Sequence, residues 1–151
     1  MRRKPAMMVM ITLASGLLAA CAGERPLNLG VREGRLAPCP SSPNCISSQA
    51  GDAKHHIPPI VVTGDPEAAF DRLVQLVKTR PDARIVEISG FYLRVELHTT
   101  WFVDDAEFLL DPSRSLIEVR SASRVGYSDL GKNRRRLEEI RQAFARQDDL
   151  Q

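Results

Sequence analysis

From Ile60 onward the apolar positions recur first with one period and then with another, and each switch marks the edge of an element. Ile60, Val61 and Val62 predict a short strand. Asp65 then caps a helix whose first residue is Pro66, a favoured pairing because the carboxylate accepts an orphan amide and proline has none to lose. Phe70, Leu73, Val74 and Val77 follow at i, i+3, i+4 and i+7, a stripe that must face a core, and Pro81 ends the helix. Arg84 to Ile88 and Phe91 to Thr99 alternate as strands around Ser89-Gly90. Setting Ile88 opposite Phe91 places Val86, Ile88, Phe91, Leu93, Val95 and Leu97 on the core face and leaves Tyr92, Arg94, Glu96 and His98 outside.

A second hairpin, Asp104 to Leu110 with Ser115 to Ser123, turns at Asp111-Pro112-Ser113-Arg114. That loop pairs Phe108 with Ile117 and Ala106 with Val119, and sets Asp105 opposite Arg120 on the outside. It also puts Glu107 opposite Glu118 and drives Asp104 and Ser121 into the inner face. The last helix, about Leu130 to Arg146, carries Leu130, Leu137, Ile140 and Phe144 in one stripe, with Asn133 among them. The order strand, helix, four strands, helix predicts an α+β domain: one antiparallel sheet of about five strands with two helices on one face. That arrangement resembles the TATA-binding-protein-like or helix-grip architecture.

The chain before this body changes the picture. Arg2, Arg3 and Lys4 precede an apolar stretch, Ala6 to Leu18, too short to span a bilayer, and Leu18-Ala19-Ala20-Cys21 has the form of a lipobox. Residues 1–20 are therefore expected to be a signal peptide and Cys21 the acylated first residue of the mature chain, anchored by more than one acyl chain. The anchor would hold the protein on the cell membrane or the outer membrane, facing the periplasm. Ala22 rather than Asp after the cysteine resembles the outer-membrane sorting pattern. Loss of three cations and no acid takes the formal charge from +2 to −1, which argues against a nucleic-acid partner. Residues 21–38 carry Gly, Pro and charge without period and are expected to be a tether, followed by a single domain over 39–147. Export leaves Cys39 and Cys45 as an even remainder and predicts a structural disulfide; a zinc site completed by His55 and His56 is the alternative, the histidines otherwise being a solvated pair.

Chemistry concentrates where the last strand runs into the last helix. Arg120, Ser121, Ser123, Arg124, Ser128, Asn133 and Arg134, with Gly126 and Gly131, put hydroxyls, guanidiniums and flexible backbone at a helix start, which suits an anion or a carboxylate. From Arg114 to Arg146 nine cations stand against four acids. Asp104, Ser121, Ser123 and Asn133 all fall on inward positions, so they are expected to satisfy one another, the 128–132 amides or Arg134. They form either a latch that docks the helix or a small polar-ligand pocket with Arg120, Arg124 and Arg134 as contacts. No serine sits in a nucleophile elbow, and Asp104-Asp105-Ala106-Glu107 lacks a calcium-loop pattern. Thr99 to Val103 must turn between strands, which leaves open whether Trp101 and Phe102 pack in the core or stand at a loop tip suited to lipid.

Arg120 to Arg136, with Cys39 to Ser48 and Asp104 to Phe108, resembles the domain-of-unknown-function family numbered 1499, over about Leu29 to Phe144. That family occurs in bacterial envelopes and in plastids, and the resemblance implies a fold without an activity, metal or cofactor. The reading that follows is a binding or structural envelope module that takes an anionic small molecule or an envelope protein. The alternative is a small hydrolase or transferase using Asp104 and the Arg120 to Arg134 region.

Overall fold

A computed structural model describes residues 23–148. Its elements are β1 (Cys45–Ser47), β2 (Ile60–Val61), α1 (Pro66–Lys78), β3 (Ala83–Ser89), β4 (Tyr92–His98), β5 (Val103–Asp111), β6 (Leu116–Ser123) and α2 (Lys132–Asp148). They make one antiparallel sheet of six strands and two helices, an α+β fold, in the order β1-β6-β5-β4-β3. The strand not foreseen from the sequence is β1. It and β2 share the free edge of β6, β1 pairing with residues 120–122 and β2 with residues 116–117.

Asp65 caps α1 as expected, its carboxylate accepting the Ala68 amide at 3.0 Å. Phe70, Leu73, Val74 and Val77 are buried, and α2 adds Leu137, Ile140 and Phe144 to the same core. Both helices cover the sheet face formed by Leu93, Val95, Leu97, Ala106, Phe108, Leu110, Ile117 and Val119. Each Val, Leu, Ile or Phe side chain fully removed from water there contributes roughly 1.5–3 kcal/mol.

Two registers differ from the expected ones. In the first hairpin Ser89 pairs with Tyr92, so Gly90, at φ +55°, and Phe91 make the turn, and the register slips between Ile85 and Glu87, leaving Val86 without a cross-strand partner. The bulge turns the strand so that Ala83 and Ile85 pack on the core, while Ile88 is half exposed and Phe91 sits at the rim. Phe91 meets Phe70 edge to face at 6.2 Å. In the second hairpin the loop is residues 112–115, one residue later than expected, which shifts the pairing by two, so Phe108 pairs with Val119, Leu110 with Ile117 and Glu107 with Arg120. Faces are unchanged by a shift of two, but the clash of Glu107 with Glu118 becomes an ion pair. The Asp111 carboxylate fixes this turn by accepting the Ser113 and Arg114 amides at 3.1 and 3.2 Å.

The chain from Arg25 to Leu36 lies across the opposite sheet face. Arg25 reaches Glu96, the Gly30 amide donates to Glu107 and the Leu36 amide to Gln49. This segment thus acts as a strap closed onto the sheet. Cys21 and the expected signal peptide lie outside the described residues.

Candidate functional site

Alternation along β6 sends Ser121 and Ser123 toward the helices and Arg120 and Arg124 toward the strap, so the residues gathered in the sequence reading divide between two sites.

On the helix side, Asn133 is fully buried and joins four partners. Its carbonyl accepts the Ser121 hydroxyl, while its amide nitrogen reaches the Asn44 carbonyl (3.2 Å), the Ser123 hydroxyl (3.0 Å) and Asp129 (2.9 Å). Asp129 is also the cap of α2, accepting the Asn133 amide at 2.7 Å and the Gly131 amide at 3.0 Å. Asn44, one residue before Cys45, donates to the Gly126 carbonyl at 2.6 Å, and its own carbonyl accepts the Ser123 amide. The Cys39–Cys45 disulfide, with sulfurs 2.04 Å apart, closes the loop that carries Asn44. Every polar group of this cluster is turned inward on another, which is the geometry of a latch between β6, α2 and the disulfide loop.

Asp104 is not part of it. Its carboxylate receives Arg136 Nη1 at 2.5 Å, and Arg136 also holds Asp82 at 3.2 Å and the His98 carbonyl at 2.9 Å. Arg134 is directed away, donating to the carbonyls of His56 (2.8 Å) and Lys54 (3.1 Å). Ser128 is exposed and its hydroxyl accepts the Leu130 amide at 3.2 Å. Leu130 is not in the helical stripe, because α2 starts two residues later; it stands at φ +53° and is 84% exposed. His55 is buried rather than solvated, bracketed by Asp52 at 2.9 Å and the Ser42 carbonyl at 3.1 Å.

The strap side holds a second polar layer that the sequence reading placed in solvent. Glu96, Asp105, Glu107, Glu118 and Arg120 are all buried there. Arg124 grips Asp105 with two bonds, 2.7 and 2.9 Å, and Glu96 with a third at 2.6 Å. Arg25 adds two more guanidinium contacts, both to Glu96, at 2.5 and 3.1 Å. Burial pushes the Glu96 carboxyl up, but the hydrogen bonds from Arg124 and Arg25 outweigh it and hold it down at about 2. The Asp105 bond raises the Arg124 guanidinium above its ordinary value, against the opposing effect of burial.

Beside this network Glu107 accepts the Tyr92 hydroxyl at 2.9 Å, the Gly30 amide at 2.8 Å and Arg120 Nη1 at 3.1 Å. Burial raises the Tyr92 hydroxyl well above its usual range, and the Glu107 charge adds to that. Arg120 is left with a difference between its nitrogens: Nη1 is paired, whereas Nε is buried without a hydrogen-bond partner. The guanidinium lines a cavity of about 350 Å³ between strap and sheet, with Ala122 as its small floor, Pro26, Leu29, Pro38 and Pro40 among its walls, and the Arg124–Asp105 pair at its side. A guanidinium that faces a partly open cavity with one N–H unpaired can donate to a carboxylate or phosphate oxygen.

The alternation of Glu96, Asp105, Glu107 and Arg120 on three successive strands, with Arg124 one residue past the last, was the signal available beforehand, since a face with that many matched charges is one that can be covered. No curated protein and no solved structure matches the chain. A family profile described as protein of unknown function (DUF1499) matches residues 35–144, and the chain belongs to that family.

Proposed function

We propose that the protein is a lipoprotein anchored through Cys21 to the cell membrane or the outer membrane, facing the periplasm, and that its domain is a binding module for a small anion. The observation that carries the binding reading is Arg120, which lines a cavity large enough for a small organic acid or a phosphate group and whose Nε, just behind that surface, has no hydrogen-bond partner. The Cys39–Cys45 disulfide supports export to an oxidising compartment. Among the described residues no helix is long and apolar enough to cross a membrane, so attachment would fall to the acylated cysteine. The alternative hydrolase or transferase has less support, because Asp104 is closed in by Arg136 on the face opposite Arg120 and Arg124.

Thermal unfolding in phosphate, succinate and chloride at matched ionic strength tests the reading and separates the two anion classes. A ligand at a hundred times its dissociation constant adds about 2.7 kcal/mol, enough for a clear rise in Tm. Ala122→Leu fills the floor of the cavity and leaves the Arg120–Glu107 pair intact; it should abolish the rise. Identical melting in all three salts, or an unchanged response in Ala122→Leu, rejects the site.

A further inference from the structure

At the end of the sheet where β4 finishes, β5 begins and β6 finishes, four large apolar side chains stand in water. Trp101 and Phe102 lie in the β4–β5 turn, 66% and 50% exposed, and Tyr127 and Leu130 in the β6–α2 loop, 73% and 84% exposed. The turn is held in shape by Thr99: its amide donates to the Phe102 carbonyl at 2.8 Å, and its hydroxyl accepts the amides of Phe102 (2.8 Å) and Trp101 (3.3 Å). The turn that carries both aromatics is therefore fixed. Leu130 likewise occupies a left-handed backbone position that favours glycine or asparagine, with its side chain outside.

Two further features converge on this end. A groove of about 440 Å³ joins Thr99 and Thr100 to the start of α2, and its charged lining is Arg80, Lys132, Arg135 and Arg136 against Asp82 and Glu139, an excess of cations. The described chain also begins here: a Cβ built on Gly23 would lie 2.8 Å from both Arg124 Cβ and Val125 Cγ1. Cys21 is two residues before Gly23 in the sequence, at most roughly 7 Å of extended chain. With residues 25–36 folded onto the sheet, the chain leaves no long spacer between an acylated Cys21 and this end.

We infer that this end of the domain docks onto the bilayer, Trp101, Phe102, Tyr127 and Leu130 entering the interfacial layer and Lys132 and Arg135 meeting anionic headgroups. The inference rests on the acylation of Cys21 proposed above. The protein lies against the membrane and does not stand off it.

Trp101 is the single tryptophan of the chain, so its fluorescence reports this contact alone. The full-length lipidated protein would be reconstituted into phosphatidylcholine vesicles with brominated acyl chains, with and without phosphatidylglycerol. Docking predicts that Trp101 emission shifts to shorter wavelength and loses most of its intensity to bromine, more so when phosphatidylglycerol is present. The double variant Phe102→Ser, Leu130→Ser should still sediment with vesicles and be quenched much less. Unquenched, water-like emission from protein that sediments with the vesicles overturns the docking face and leaves the anchor standing. Equal quenching with and without phosphatidylglycerol removes the headgroup role of Lys132 and Arg135. The anchor has its own readout: Cys21→Ala retained in washed membranes overturns acylation, whatever the fluorescence shows.

Discussion

Beneath the helices, Leu93, Val95, Leu97, Ala106, Phe108, Ile117 and Val119 are buried by apolar stripes; beneath the strap, Glu96, Asp105, Glu107 and Arg120 are buried to a similar degree by a segment with no stripe at all. The residues alternate along the same strands, so neither backbone nor length distinguishes the two faces. Apolar burial is non-directional and tolerates any cover of the right shape. A charged face needs a cover that returns lost hydrogen bonds, as Arg25 does for Glu96 and the Gly30 amide for Glu107. Buried ion pairs roughly break even against apolar replacements while being costly to leave half-made. The helix face thus supplies stability, and the strap face supplies a fixed position for an aperiodic chain and the cavity beneath it.

Substitutions that treat the faces separately sharpen the contrast. The largest effect belongs to Phe108→Ala, which empties the centre of the apolar face and should cost about 3–5 kcal/mol. Urea unfolding at low and high salt should give the same loss, and a salt-dependent one would blur the distinction between faces. Arg120→Met removes one partner of a buried pair and leaves Glu107 with Tyr92 and Gly30 only; a loss of about 3 kcal/mol is expected. Adding Glu107→Gln should restore much of it, and a double variant no better than the single one would show that the charges are not coupled. Acid gives the smallest effect. Glu96 sits at about 2 in the fold against an ordinary 4.5, so its contribution is complete above the higher value and is lost as pH falls toward the lower. Melting curves from pH 6 to pH 2.5 should fall more steeply for the wild type than for Glu96→Gln; parallel curves would assign the acid sensitivity to other groups.

Local rules made much of the fold legible. The Asp65 cap, the α1 stripe, both hairpins and the faces of β5 and β6 follow from period and capping chemistry, and the inward placement of Ser121, Ser123 and Asn133 held because alternation survives a two-residue slip. The slip itself depended on how Asp111 folds its turn, and the bulge at Val86 on packing against α1. The strap was illegible for a different reason: Gly, Pro and unpatterned charge describe a free linker and a segment fitted to a charged face equally well. Arg136 was missed as the partner of Asp104 because it lies one turn along the helix from Asn133, where only its burial reveals the link.

The strap also imposes an order in time. Its partners lie far downstream, Glu96 at 71 residues from Arg25 and Glu107 at 77 from Gly30, whereas the disulfide spans a separation of 6. Until the chain has emerged through Arg124 there is no finished surface for residues 25–36 to lie on, while the small loop can be cross-linked as soon as Cys45 meets an oxidant. The part of the domain made first is therefore the part that must settle last.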